Sequence, residues 1–373
     1  MVTLPKCSVG WFRRIPDGGN HMKLHVLLPI AAAFMLVASA HAGNNPVDES
    51  WWPSEFGADD EAGATNWITP EKRMAAAALV KTGRVATLGM HYHNTTPLFP
   101  GRVLSLTIPG GGLPTHDLAW SGDSYRQTFM DELMTANIGQ VGTQFDSLAH
   151  PMIKVEGQDG WKDGNYLYNG YRLEDVGGPY GLKKNGTENV GSFFTRGILI
   201  DLVALKGGNL PIGYPITMDD YNAALAAQGI ADAGQGDVVL VRTGWNDIWR
   251  DNHNLPTGEA IANNAAFNAG GPGIAPDVCD HLAGKKIAML GADNWGIEPY
   301  DFAGQGDWPT PFAEVKDWAY CHMNLSVRRG IYLFENLDLK QLGEDQAYEF
   351  LFSWAPLKLV GATGAPGNPI AAY

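Results

Sequence analysis

The chain has 373 residues, of which 45% are apolar, and its 26 Lys and Arg stand against 40 Asp and Glu for a net charge of −14. So acidic a balance excludes a protein that works by charge attraction to nucleic acid or an anionic membrane. The length is ample for a buried core in one large domain or two smaller ones.

The N-terminus comes first in chain order. From Met22, "MKLHVLLPIAAAFMLVASAHA" has a lysine, an apolar run and the small-residue exit Ala40-His41-Ala42, the pattern of a secretory signal cleaved after Ala42. Residues 1 to 21 precede this second methionine, and Arg13-Arg14 alone is a weak twin-arginine signal. The apolar run is too short for a membrane span, and no stretch of about 18 apolar residues follows it. The expectation is a cleaved segment over 1–42 and one domain over 43–373, soluble, with no membrane and no nucleic acid among its partners, and periplasmic or secreted. Four of the basic residues and one of the acidic ones fall in the cleaved segment, so the remainder carries −17. Its two cysteines, Cys279 and Cys321, enter a compartment that permits a disulfide. The sequence leaves open whether they pair.

Thr69-Pro70 fits an N-cap followed by proline at the first helical position, and "EKRMAAAALVKTG" continues as a predicted helix until Gly83. "RVATLGMHY" then reads as a strand. The apolar runs "GILIDLVAL", "DVVLVRTG" and "KKIAMLGAD" read as buried strands, with helical stretches "TMDDYNAALAAQG" and "APDVCDHLAG" before the second and third. This alternation predicts an α/β core. The polar, Asn- and Gly-rich segment from Asp251 to Gly273 reads as a surface loop, either a cover for a site or a passive insertion.

The stretch "GQVGTQFDSLAHP", residues 139 to 151, carries the chemistry. If residues 140 to 146 are extended, Gln140, Gly142, Gln144 and Asp146 share one face while Val141, Thr143 and Phe145 pack on the other. Carboxylate and amide oxygens on one face beside a histidine suit a hard divalent ion, although a hydrogen-bonded polar patch gives the same pattern. Later, in "AYCHMNLSVRRGIYLFENLDL", a helix carrying His322 leads into a strand carrying Glu335. Such a pair of elements can aim two ligands at one point.

These residues resemble the cyclase family of metal-dependent hydrolases, which includes bacterial kynurenine formamidase and isatin hydrolase. The family's motif His-x-Gly-Thr-His-x-Asp-x-Pro-x-His stands here as Gln140-Val141-Gly142-Thr143-Gln144-Phe145-Asp146-Ser147-Leu148-Ala149-His150. "GDVVLVRTGW", "GADNWGIE", the His322 to Glu335 segment and the closing "APLKLVGATGAPGNPIA" extend the likeness, in order, over about Trp51 to Ala371. The resemblance implies a swivelling β/β/α domain, usually assembled as a homodimer or homotetramer. It implies metal ligands at Asp146, His322 and Glu335, and a proton-moving histidine at His150. Gln140 and Gln144 occupy positions of metal-binding histidines. Glutamine offers only a carbonyl oxygen to a metal, so the expected site is weaker and harder, with one divalent ion, manganese or zinc.

The implied reaction is hydrolysis of an amide, lactam or related acyl bond in a small aromatic or cyclic substrate. A small-molecule binding protein that has lost hydrolysis with its histidines is the alternative. Trp295, Phe145 and His116 are candidate substrate contacts, with Trp120 as a further aromatic. Asp293 and Glu298 are candidates for the pocket edge or for structural loop roles. His91 and His93 alternate on the predicted strand, but the resemblance gives them no role. "GATGAPGNP" has the glycines of a phosphate loop without its Lys-Ser/Thr or its helix.

Overall fold

The computed structural model describes residues 50–118, 127–302 and 319–373. The expected signal segment and Trp120 lie outside the described residues. The described residues form one compact unit. Among the described residues no helix is long and apolar enough to cross a membrane.

Nine strands form the principal sheet: β1 Val85–Thr87, β2 Gln144–Asp146, β3 Phe193–Asp201, β4 Val238–Arg242, β5 Met289–Ala292, β6 Tyr332–Glu335, β7 Glu349–Trp354, β8 Gly364–Pro366 and β9 Ile370–Ala372. Their order across the sheet is β1-β9-β7-β3-β4-β5-β6-β2-β8. The central strands β3 to β6 are parallel to one another, and the strands added on either side are antiparallel. Parallel strands covered on both faces need apolar residues at every position. The three apolar runs of the sequence supply them: Ile198 to Ile200, Val238 to Val241 and Met289 to Leu290 are wholly buried.

Four of the helices matter for the argument: α1 Pro70–Ala77, α2 Met218–Gln228, α3 Thr257–Asn268 and α4 Pro276–Gly284. Helix α2 begins at a capping box formed by Thr217 and Asp220 and ends at Gly229 in the left-handed conformation, both legible as start and stop signals. The Thr69 side chain caps α1 at Lys72 N, with Pro70 in the first turn. This helix stops at Ala77, short of the expected Gly83. It buries only Ala76, and a helix without an apolar stripe gains little from continuing. The segment from Asp251 to Gly273, read as a loop, contains α3. Only Ala260 and Phe267 are buried on it, too sparse a pattern for periodicity to register.

The predicted strand over 140–146 is also shorter. Only Gln144–Asp146 is extended, and Gln140 to Thr143 form a turn in which Gly142 has φ +59. A side chain there would be strained by that φ and would meet the Tyr92 ring at 2.8 Å. Thr143 locks the turn: its hydroxyl donates to Asn336 O at 2.7 Å and accepts from Met90 N at 2.7 Å. The glycine-rich "GATGAPGNP" provides edge strand β8. A Cβ on Gly364 would lie 2.6 Å from both Gly139 O and Phe145 O, so glycine is what lets β8 approach β2.

Candidate metal centre

Strands β2 and β6 run antiparallel, with Gln144 opposite Glu335 and Asp146 opposite Leu333. Side chains two residues apart share a face, so Gln144, Asp146 and Glu335 all emerge on one side of this pair. His322 comes from the helix that leads into β6, at the start of a π-type wide turn over His322–Val327. Such turns widen the helix by one residue and recur at functional sites. The preceding residue, Cys321, is joined by a disulfide to Cys279 of α4, with Cα atoms 5.7 Å apart. The open question about the cysteines is thereby answered.

The sheet register and the disulfide bring three groups together. His322 Nε2 lies 3.6 Å from Asp146 Oδ2 and 3.3 Å from Glu335 Oε1. One ligand atom from each of the three residues falls within 4.8 Å of the other two. Ligands about 2.1 Å from a shared ion are roughly 3–3.5 Å from one another, so the cluster has the size of a metal site. Asp146 Oδ2 is fully buried and has no hydrogen-bond partner. A buried carboxylate oxygen without a donor costs free energy unless a cation meets it. The donor set, two carboxylates and one imidazole, fits a divalent ion.

The two glutamines have a role that the sequence did not disclose. Gln140 Nε2 donates to Asp146 Oδ1 at 2.8 Å, and Gln144 Nε2 donates to Glu335 Oε2 at 2.6 Å. Each carboxylate thus has one oxygen tethered by an amide and the other presented to His322. The carbonyl oxygen of Gln140 accepts from Arg102 Nη2 at 3.0 Å, so its nitrogen, rather than the oxygen that a metal would take, faces Asp146. Gln144 likewise turns its nitrogen to the cluster, because its oxygen would face a carboxylate oxygen and be repelled.

Glu298 completes the cluster from behind. Its Oε2 lies 2.8 Å from His322 Nδ1, and its Oε1 accepts from His322 N at 2.9 Å. A carboxylate on one ring nitrogen directs the other toward the cluster. Burial alone would push the His322 pKa down. The charge of Glu298 and the close carboxylates of Asp146, Glu298 and Glu335 outweigh it and hold the ring well above its ordinary value. Burial pushes the Asp146 carboxyl up, but His150, His322 and Gln140 together bring it below the usual carboxylate range.

A cavity of about 240 Å³ opens onto this cluster, lined among others by Gln144, His150, Trp295, His322 and Glu335. His150 Nε2 is 3.9 Å from Asp146 Oδ2, and its side chain is partly exposed. Trp295 lines the cavity as expected. Two other expected contacts do not. Phe145 is wholly buried and stacks on Tyr332 at 5.1 Å, because the alternation that aims Gln144 and Asp146 at the cavity sends Phe145 into the core. His116 stands on a hairpin, His116–Leu118 with Gln127–Phe129, where it pairs with Asp131 at 3.0 Å and remains 60% exposed. Asp293 is a loop clasp: it accepts from Thr243 N, Thr243 Oγ1 and Gly244 N at 2.6–2.8 Å. His91 and His93 pack beside His253, with ring centroids 4.6 and 5.7 Å from it, and neither lines the cavity.

A mixed sheet with a parallel centre, in which neighbouring strands β2 and β6 and the helix before β6 supply an acid–imidazole–acid cluster, defines a class of α/β proteins with a built cation site. The model of the putative cyclase family matches residues 64–299. The crystal structure of a novel cyclase is 32% identical, with 85% of this chain and 98% of that chain covered and a TM-score of 0.67. This chain belongs to the cyclase family, and its fold is the family's swivelling β/β/α domain. More distant likenesses include isatin hydrolase A from Ralstonia solanacearum, at 21% identity, 81% and 97% coverage and a TM-score of 0.47. The predicted metal-dependent hydrolase from Bacillus stearothermophilus stands at 20%, 78%, 98% and 0.41. A comparison with curated proteins gives no match.

Proposed function

We propose that this protein is a metal-dependent hydrolase of an amide, lactam or related acyl bond in a small aromatic or cyclic substrate. The observation that carries the reading is the unpartnered, buried Asp146 Oδ2 facing His322 Nε2 and Glu335 Oε1 at the mouth of a cavity. Asp146, His322 and Glu335 would hold one divalent ion, manganese or zinc. Bound there, the ion supplies Lewis acidity, which acidifies water and polarises a carbonyl. Glu298 fixes the His322 ring, and the two glutamines fix the carboxylates, so the donors are arranged before the ion arrives. Phe99, Met152, Trp295 and Met323 give the cavity apolar walls, which suit a ring.

His150 is the group placed to move protons. It reaches the cavity, lies close to Asp146 and is not needed to complete the ligand set. In this reading it takes a proton from water and delivers it to the leaving nitrogen, a task suited to an imidazole near neutral pH. Two further parts of the proposal concern the setting. The apolar N-terminal segment and the Cys279–Cys321 disulfide support secretion to an oxidising compartment. Exposed apolar residues on and beside two antiparallel strand pairs, Val103, Leu113, Phe129 and Leu133 among them, support a homodimer or homotetramer.

The test is metal analysis of the purified protein followed by a screen of amides, lactams and lactones with added manganese or zinc. One equivalent of tightly held ion and turnover of a member of the screen is the expected result. No ion retained after reconstitution points instead to a binding protein. The variant His150→Ala should keep the ion and lose roughly 10²–10⁴-fold in turnover, whereas undiminished turnover removes His150 from the mechanism.

A further inference from the structure

Arg102 stands in the wall of the same cavity. Its guanidinium lies over the Phe99 ring at 5.3 Å and reaches the turn before β2. There Nη1 donates to Gln140 O at 2.8 Å and Nη2 to Gln140 Oε1 at 3.0 Å. Those bonds use two of the five N–H groups that a guanidinium carries. Both acceptors are neutral, and no carboxylate among the described residues lies within ion-pair distance of Arg102. It is also the one Lys or Arg among the described residues that line the cavity.

A guanidinium keeps its proton at any physiological pH and, when partly buried beside apolar walls, is held best by a planar oxyanion. The chain as a whole carries −14, so nothing in its overall field would draw an anion to this cavity. A local, un-neutralised cation is therefore informative. The geometry points to Arg102 as the recognition group for a carboxylate, or a comparable planar oxyanion, on the substrate. That group sits one glutamine side chain away from Asp146, so a ring resting against the paired Phe99 and Trp295, whose ring centroids are 4.6 Å apart, presents its anionic end to Arg102 and its acyl group to the cluster. The inference rests on the hydrolase reading and narrows it: the substrate is an aromatic amide or lactam that bears a negative charge.

The experiment compares an N-formylaminobenzoate with formanilide, the same amide without the carboxylate, on metal-loaded wild type, Arg102→Met and Arg102→Lys. Wild type should favour the carboxylated amide, by roughly 10–100-fold in KM. Arg102→Met should bring the two to near parity, and Arg102→Lys should keep part of the preference. Equal losses on both substrates in Arg102→Met would mean that Arg102 only props Gln140, and would overturn the proposal. So would a wild-type preference that persists undiminished in Arg102→Met, since the metal alone would then account for it. If neither amide is hydrolysed, calorimetric binding of aminobenzoate against aniline to the same proteins decides. A carboxylate preference lost in Arg102→Met upholds the role of Arg102 while the hydrolase reading falls, and its absence in wild type sinks the inference by itself.

Discussion

A single imidazole set between three acids, one on Nδ1 and two on Nε2, explains much of the site. His322 Nδ1 faces Glu298 and Nε2 faces Asp146 and Glu335. Removing Glu298 frees the ring to rotate and change tautomer, so Glu298→Ala should lower metal affinity roughly 10–100-fold, read by competition with a chromogenic chelator. Unchanged affinity would show that the helix alone orients His322. Asp293 makes a second residue-level prediction. Burial raises its carboxyl to about 6 against the hydrogen bonds from Thr243 and Gly244. A folded-state value above the ordinary 3.8 favours the protonated form, so its contribution is full below about pH 4 and is lost as the pH climbs through about 6. Denaturation of wild type and Asp293→Asn should show the wild-type advantage shrinking by about 2 kcal/mol between pH 4 and 7. A gap independent of pH would refute it. The sequence disclosed Asp146, His322 and Glu335 through residue type and motif order. It could not disclose that Glu298 backs His322, because the contact spans 24 positions and depends on a turn in which Ile297 has φ 57. Alternation along β2 by itself puts Phe145 on the face opposite Gln144, in the core and away from substrate.

At the scale of elements, the buried strands were legible because β3, β4 and β5 are apolar without interruption, and α2 because its cap and its terminal glycine are explicit. Helix α3 was not, since its Ala- and Asn-rich surface looks like a loop. The disulfide belongs to this scale as well, tying α4 to the helix that carries His322. Closing a loop of 42 residues stabilises the fold by about 4 kcal/mol through the unfolded chain. The double variant Cys279→Ser with Cys321→Ser should lose much of that in chemical denaturation. It should also bind metal less tightly, because position 321 adjoins the ligand. A variant with wild-type midpoint and affinity would show that packing around the π-type turn suffices.

For the whole molecule, the hairpins formed by Leu104–Thr107 with Leu133–Ala136 and by His116–Leu118 with Gln127–Phe129 leave apolar side chains in water. If these cover a second copy, light scattering should return a multiple of the chain mass, and Leu113→Asp with Leu133→Asp should reduce it. A monomeric wild type would dispose of the assembly. The swivelling topology itself was not recoverable from periodicity, because the antiparallel additions β2, β8 and β9 are three residues each and too short to show a period. The pairing of β2 with β6 carries a last implication. Alternate residues of β2 belong to two compartments at once, Gln144 and Asp146 to the cavity and Phe145 to the interior, so a deletion of one codon would exchange them. An acid would be driven into hydrocarbon and an aromatic ring into the place of the ligands. Foldability and chemistry therefore stand or fall together in this strand, and viable length changes in relatives should be confined to the loops on either side of it.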